Sequence, residues 1–338
     1  MILRRALPGV IRGLAGVLAL ATLGVAGWWW STLYRTATES AVTLEVARGV
    51  PARHVLADLE ARGLLPSVPA GRLYLRLLGA GRPLHWGHYR VAAGSRPVDV
   101  LELLLEGRVE LVTVTLPEGW TAAEIARAFV AAGVGQPDRW RELLATTSPI
   151  ADLAPAATSL EGFLFPDTYR FAIGISPERV VSHLTARFRR VWNEQLEASG
   201  APWAEPLEVV TLASLVEAET GLQHERARIA GVFVNRLRRG MLLQCDPTVV
   251  FALQRRGEWT GRLLRIHWQV DDPYNTYRYA GLPPGPINCP GRAALAAALD
   301  PEPHDKLYFV ARPGGGHTFS RSLAEHNRAV AELRRAGR

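Results

Sequence analysis

The hydrophobic pattern of the chain opens on an uninterrupted apolar run. Residues 13–34, between Arg12 and Arg35, carry no charge in 22 positions and begin GLAGVLALATLGVAGWWW. As a helix this run is long enough to cross the hydrocarbon core of a bilayer. Behind it one pattern comes three times: an extended apolar piece, a glycine turn, then apolar residues at helical spacing. The three segments are LEVARGVPARHVLADLEARG from Leu44, YRVAAGSRPVDVLELLLEG from Tyr89 and VTLPEGWTAAEIARAFVAAG from Val114. Gly49, Gly94 and Gly119 end the strand-like parts, and Pro51, Ser95 or Thr121 opens the helix. Residues 42–112 are expected to form a small domain of such units, with the third leading into a larger domain over 113–338.

Between Pro137 and Thr158 the chain is polar and rich in Ala and Pro, a helix and a loop. SLEGFLFPDTYRF, Ser159 to Phe171, is dense in aromatics around Pro166 and predicts a buried, non-helical connection. Two strongly apolar helices are expected next, one ending near Thr220 and one over about Glu225–Arg239, after which glycines and prolines predict a loop-rich stretch. LYFVARPGGGHTFSRSLAEHN, Leu307 to Asn327, reads as strand, hairpin turn over Pro313–His317, short strand and helix. The expected fold class is α+β: an N-terminal transmembrane helix, a small α/β domain and a larger α/β domain.

Arg4, Arg5 and Arg12 precede the apolar run, so residues 1–12 are expected in the cytoplasm, and Trp28, Trp29, Trp30 and Tyr34 form an aromatic belt at the far interface. The competing reading is a cleaved signal peptide with Ala19-Leu20-Ala21 at its end. The run continues well past that triplet, which favours an uncleaved anchor.

Composition narrows the function classes. The chain has 338 residues, 48% of them apolar, which supports genuine cores. The net charge of +7 comes almost entirely from arginine, since Lys306 is the only lysine. The arginines run from Arg4 to Arg338 interleaved with acids, without the concentrated basic face of a nucleic-acid binder, so no nucleic-acid partner is expected. Cys245 and Cys289 make neither a disulfide framework nor a metal-ligand spacing, and His317 and His326 lack a partner at ligand spacing. No metal and no cofactor are expected. The glycines at 314–316 are not followed by Lys-Ser/Thr, so they are no phosphate loop.

The most informative helix is LEVVTLASLVEAET, Leu207 to Thr220. Val209, Val210, Leu212, Leu215 and Val216 make its apolar body, and Glu217 and Glu219 sit near its C-terminal end. Two residues apart on a helix is about 200°, so the two carboxyls cannot converge on one atom. A carboxyl beside Leu215 and Val216, at the negative end of the helix dipole, should have its pKa raised, as a general acid requires. Spacing alone is equally met by two ordinary surface glutamates. Downstream, Asn235 closes a helix, Gln244 and Asp246 flank Cys245, and Tyr274, Asn275, Thr276 and Tyr277 precede a proline-glycine loop. Amides that pair with hydroxyls and rings that stack on pyranose faces suit a sugar cleft. Asn275 and Asp246-Pro247 are also good turn formers in any protein.

LEGFLFPDTYRF, LASLVEAET, GVFVNRLRRGMLLQCDPTV, DDPYNTYRYAGLPPGPI and LYFVARPGGGHTFSRSLAEHN stand in this order behind one apolar run. Together they resemble the endolytic murein transglycosylases of the MltG/YceG-like family, over nearly the whole chain and most strongly from Ser159 onward. The resemblance implies a LysM-like domain beside an α/β catalytic domain, in keeping with the glycine turns of residues 42–112, although a plain α+β scaffold without a ligand answers the same pattern. It implies Glu217 as the catalytic acid/base, with Glu219 supporting it, and peptidoglycan glycan strands as substrate at the inner membrane. It further implies a link to peptidoglycan synthases and products ending in 1,6-anhydro-N-acetylmuramic acid. Cys245 stands where the family more usually has serine or threonine.

On that reading one carboxyl protonates the glycosidic oxygen and then accepts the proton of the C6 hydroxyl that attacks internally, so no second carboxylate is needed. Two alternatives stay open on the residues alone. One is a lysozyme-like hydrolase using Glu217 and Asp246, the other a non-catalytic wall-binding scaffold.

Overall fold

A computed structural model describes residues 3–34, 38–79, 81–200, 205–312 and 314–336. The first helix, α1 (Leu3–Leu33), contains one stretch, Ala15–Leu33, long and apolar enough to cross a membrane. The arginines expected to flank it, Arg4, Arg5, Arg12 and Arg35, lie outside the residues whose side chains are described, as does Pro313 of the expected hairpin turn.

The chain divides into two compact units, Met1–Val112 with Arg170–Gly174, and Thr113–Tyr169 with Ile175–Arg338. In the first, β1 (Val42–Val46), α2 (Ala52–Ala61), α3 (Val68–Leu77), β2 (Gly87–Val91) and α4 (Pro97–Glu106) follow α1. β1 and β2 are antiparallel, with Leu44 opposite Tyr89. Alternation does the sorting, since Leu44, Val46, Tyr89 and Val91 point inward while their neighbours face out. Leu56, Leu59, Leu101 and Leu104 close the core from the helices. The end of α1 belongs to this core: Leu33 is fully buried, and the Trp29 indole donates to the Ala70 carbonyl at 3.3 Å. Of the expected aromatic belt, Trp28 and Trp30 are therefore exposed while Trp29 turns inward.

β3 (Leu111–Thr115) is followed by α5 (Ala122–Ala131), α6 (Pro137–Leu144) and a 3-10 turn, and then by β4 (Thr168–Ala172), which pairs with β3. Next come α7 (Pro177–Ser199), α8 (Pro206–Glu219), α9 (Arg226–Arg238), α10 (Asp246–Arg256) and α11 (Arg292–Leu299). β5 (Tyr308–Ala311) and β6 (His317–Ser320) make the expected hairpin, and α12 (Leu323–Ala336) follows. α8 is the interior helix of the second unit: every residue from Val210 to Val216 is buried, and it packs on α9, α10 and α11. A helix apolar all round has to be enclosed on all sides.

The stretch read as loop-rich after Arg239 holds α10 and α11. Asp246-Pro247 looks like a turn, but proline within the first turn of a helix needs no hydrogen-bonded N–H and already has helical φ, so the pair starts α10 instead. The second of the repeated helices begins behind Arg96 rather than Ser95, because Asp99 caps the Arg96 backbone N–H at 2.9 Å.

Candidate functional site

α8 delivers Glu217 and Glu219 to two different surroundings within the second unit. Glu217 faces the start of α9, where Arg226 brings a guanidinium nitrogen 2.6 Å from Glu217 Oε1; the two side chains are 6% and 9% exposed. The backbone N–H of Gly291 donates to Glu217 Oε2 at 2.9 Å. Glu118, in the loop after β3, lies 3.7 Å from the same Arg226 nitrogen. That loop is fixed to the segment before α11 by two backbone bonds, Gly119 N–H to the Cys289 carbonyl (3.0 Å) and Cys289 N–H to the Trp120 carbonyl (2.8 Å). Ser214, one turn before Glu217, ties down the same segment: its hydroxyl accepts from Ile287 N–H at 3.1 Å, and its carbonyl accepts from the Asn288 amide at 2.9 Å. A Cβ on Gly291 would meet the Glu118 carboxylate, so any side chain there would push that flexible group aside. Burial pushes the Glu217 carboxyl up and Glu118 adds to it, against the Gly291 N–H and Arg226.

Glu219 lies on the other side of α8 and lines a cavity of about 310 Å³ with Gln244, Asp246, Tyr277, Tyr308 and His326. Burial is the main cause raising its pKa and the Asp246 charge adds to it, while the Cys245 thiol, His317 and Arg236 pull the other way. Asp246 Oδ1 accepts from the Tyr277 hydroxyl (2.7 Å) and the Trp268 indole (3.1 Å), and these two rings stack with centroids 5.1 Å apart. Gln244 is the only described non-glycine residue with positive φ, +52°, a strained backbone at the cavity wall. His326 stacks on Tyr308, and its buried Nδ1 has no protein partner among the described residues. Burial keeps this imidazole below its usual pKa.

The residues singled out in the sequence therefore separate. Glu219, Gln244, Asp246 and Tyr277 share one cavity, whereas Glu217 stands apart with Arg226. Tyr274 lines a different cavity with Phe251 and Glu161. Asn235 and Asn275 turn their amides to backbone: Asn235 Nδ2 donates to the carbonyls of His304 (2.7 Å) and Lys306 (3.0 Å), Asn275 Nδ2 to those of Trp268 (2.9 Å) and Val270 (2.7 Å).

Three features escaped sequence reasoning: Arg226, Glu161 and the pairing of His317 with Glu225. Arg226 had no visible signal, being one arginine among many. Glu161 is buried at the N-terminus of α5, accepts the Ala122 N–H at 2.9 Å, and is pushed by burial up to about 8. Its signal was the only acid within the aromatic run of Ser159–Phe165. His317 sits on buried Glu225, with Nδ1 2.7 Å from Oε2 and the backbone N–H donating to Oε1 at 3.0 Å. Burial alone would raise Glu225, but these bonds bring it below the ordinary range. Among the described residues no cluster of His, Cys, Asp or Glu could hold a metal ion, and both cysteines are free and buried, Cys245 beside Glu219 and Cys289 3.8 Å from Glu161.

Comparison with known proteins agrees over most of the chain. The profile of the YceG-like family matches residues 44–332. An endolytic murein transglycosylase of Bacillus subtilis (strain 168) is 38% identical over 174 residues, 50% of this chain and 47% of that protein. One from Streptococcus pneumoniae serotype 2 is 28% identical over 321 residues, 86% of this chain and 58% of its own length. The chain thus spans about half the length of these curated relatives. The crystal structure of a yceG-like protein from Listeria monocytogenes superposes with a TM-score of 0.56 at 28% identity, covering 86% of this chain and 99% of that one. With a matched region running from β1 to α12, the chain belongs to the YceG-like family.

Proposed function

We propose that this chain is an endolytic lytic transglycosylase of peptidoglycan, with Glu219 as its acid/base. It cuts the bond between N-acetylmuramic acid and N-acetylglucosamine within glycan strands. The observation that carries the reading is the cavity at the end of α8, where a carboxyl with raised pKa stands among hydroxyl, amide and imidazole groups suited to sugar hydroxyls. The names of the relatives support the substrate class.

This reading moves the acid/base role expected of Glu217 to Glu219. In this structure Glu217 is held by Arg226 and the Gly291 N–H, whereas Glu219 faces the cavity, which favours Glu219 as the group that meets the substrate. Glu219 has no cation bonded to it among the described residues, and burial raises its pKa, the direction a general acid needs. It donates that proton to the glycosidic oxygen as the C–O bond breaks and positive charge grows on the muramic anomeric carbon. The carboxylate then takes the proton of the C6 hydroxyl of the same sugar, whose oxygen closes the 1,6-anhydro ring. No water is consumed. Asp246, fixed by Tyr277 and Trp268, places a negative charge beside the developing cation.

α1 serves as a single-pass anchor in the inner membrane, N-terminus inside, with both units outside the cytoplasm. The β1–α2–α3–β2 order of the small unit fits a LysM-like wall-binding role, and peptidoglycan synthases are the partners such a nascent-strand cutter works beside.

The test compares Glu219→Gln with Glu217→Gln on purified sacculi. Glu219→Gln is expected to lose 10²- to 10⁴-fold in cleavage while still binding glycan, and Glu217→Gln to lose far less wherever it remains folded. The reverse order would return the role to Glu217. Wild-type products are expected about 18 Da lighter than reducing-end fragments, since water is not added. Reducing ends alone would make the enzyme a hydrolase with Asp246 as water-activating base, and intact strands would leave a wall-binding scaffold.

A further inference from the structure

α10 has a cavity at each end. Asp246, its first residue, lines the Glu219 cavity, while Phe251 and Arg255 on its last turns line a larger one of about 640 Å³. Nine residues of helix separate Asp246 from Arg255, a rise of about 14 Å. The following loop repeats the arrangement, with Tyr277 at the smaller cavity and Tyr274 at the larger.

The larger cavity holds two acids and two arginines, and the acids are already committed. Glu124 accepts the Thr121 N–H at 2.8 Å as the partner in the α5 capping box. Glu161 accepts the Ala122 N–H, and burial holds it largely protonated at neutral pH. Arg127 lies 3.9 Å from Glu124 and is otherwise open to solvent. Arg255 forms no ion pair among the described residues. Its guanidinium instead lies over the Tyr274 ring, 4.6 Å from the centroid, and 5.9 Å from that of Phe251, with Trp259 also on the cavity wall. A guanidinium stacked on a ring keeps its N–H edge free in the plane, the geometry that receives a carboxylate in two parallel bonds.

We propose that this cavity is a subsite for a carboxylate carried by the glycan strand, with Arg255 as its anchor and Arg127 as a second cation. The inference rests on the reading of the chain as a peptidoglycan-cleaving enzyme. Peptidoglycan offers that group from two sources. A muramic acid stripped of its peptide has a free lactyl carboxylate, and a substituted one carries the carboxylates of its stem peptide. The rings suit the sugar or aliphatic portion beside the charge.

The experiment uses the full chain in detergent, made inactive by Glu219→Gln, and measures binding of peptide-free and peptide-bearing glycan strands by calorimetry. Adding Arg255→Gln is expected to weaken binding about tenfold or more, as befits loss of a charge-assisted hydrogen bond. Arg255→Lys, which keeps the charge, is expected to recover part of it, as a merely structural role would not require. Weakening on peptide-free strands identifies the lactyl group, and weakening confined to peptide-bearing strands identifies the peptide. Unchanged affinity for both strands, with the parent still binding, overturns the subsite and leaves the enzyme reading standing. Failure of the parent to bind either strand overturns the enzyme reading itself.

Discussion

Arg226 holds Glu217 at 2.6 Å across the corner between α8 and α9, with both side chains almost closed to solvent. A buried pair of this kind makes each partner depend on the other. Arg226→Met is expected to cost about 3–5 kcal/mol, because it strands a carboxylate in the protein interior. Replacing both residues with leucine should recover most of that loss. Urea unfolding of the two single variants and the double variant decides it, and a cost below about 1 kcal/mol for Arg226→Met would mean that solvent screens the pair.

Cleavage should fall as pH rises through the raised pKa of Glu219, since the acid must be protonated to act. Of the groups that bear on it, Asp246 pushes the pKa up, while Cys245, His317 and Arg236 pull it down. Removing the Asp246 charge with Asp246→Asn is therefore expected to shift the alkaline limb of the rate profile to lower pH. A limb that stays in place would separate the titrating group from Asp246.

How much of this was legible in the sequence depends on the distance over which each feature is decided. The three strand-turn-helix segments, the interior helix α8 and the β5–β6 hairpin follow from local spacing and turn residues, and the structure has them where the pattern puts them. The helix period also shows that Glu217 and Glu219 diverge. Which of them meets an open cavity is set by Arg226 from the next helix and by Gly291, 74 positions further on. No window of sequence contains that information. α7 was not anticipated at all, although Val180, Val181, Leu184, Phe188, Val191 and Trp192 mark one buried face at helical spacing.

Glu161 gives the fold a pH dependence of its own. Its carboxyl keeps a proton up to about pH 8 when folded, whereas the unfolded chain releases it near the ordinary glutamate value of 4.5. Stability should thus fall as pH rises between these values, by up to about 1.4 kcal/mol per pH unit. Glu161→Gln keeps an oxygen to accept the Ala122 N–H and removes the titration. Denaturation at pH 5, 6, 7 and 8 should show the slope reduced in the variant, and equal slopes would place the effect elsewhere.

Gly162, next to Glu161, stands at φ +85°, and a Cβ there would meet Pro286 at 2.5 Å and Val210 at 2.8 Å. Gly162→Ala combines a left-handed backbone with a clash against proline and α8, and should cost about 1–3 kcal/mol or more. A thermal midpoint matching wild type would show that the loop of residues 283–287 can give way.

The burial of Leu33 and Trp29 against α3 and α4 bears on how the protein can be shed. A protease acting where the proposed anchor leaves the bilayer, after Trp30, would carry off Trp29 with the membrane stub and leave Leu33 on a frayed end. Losing the Trp29 side chain, which packs on this core, removes part of what holds so small a unit together. A chain beginning at Ser31 is therefore expected to have a less stable first unit than the full chain, a difference that thermal unfolding of the two would show.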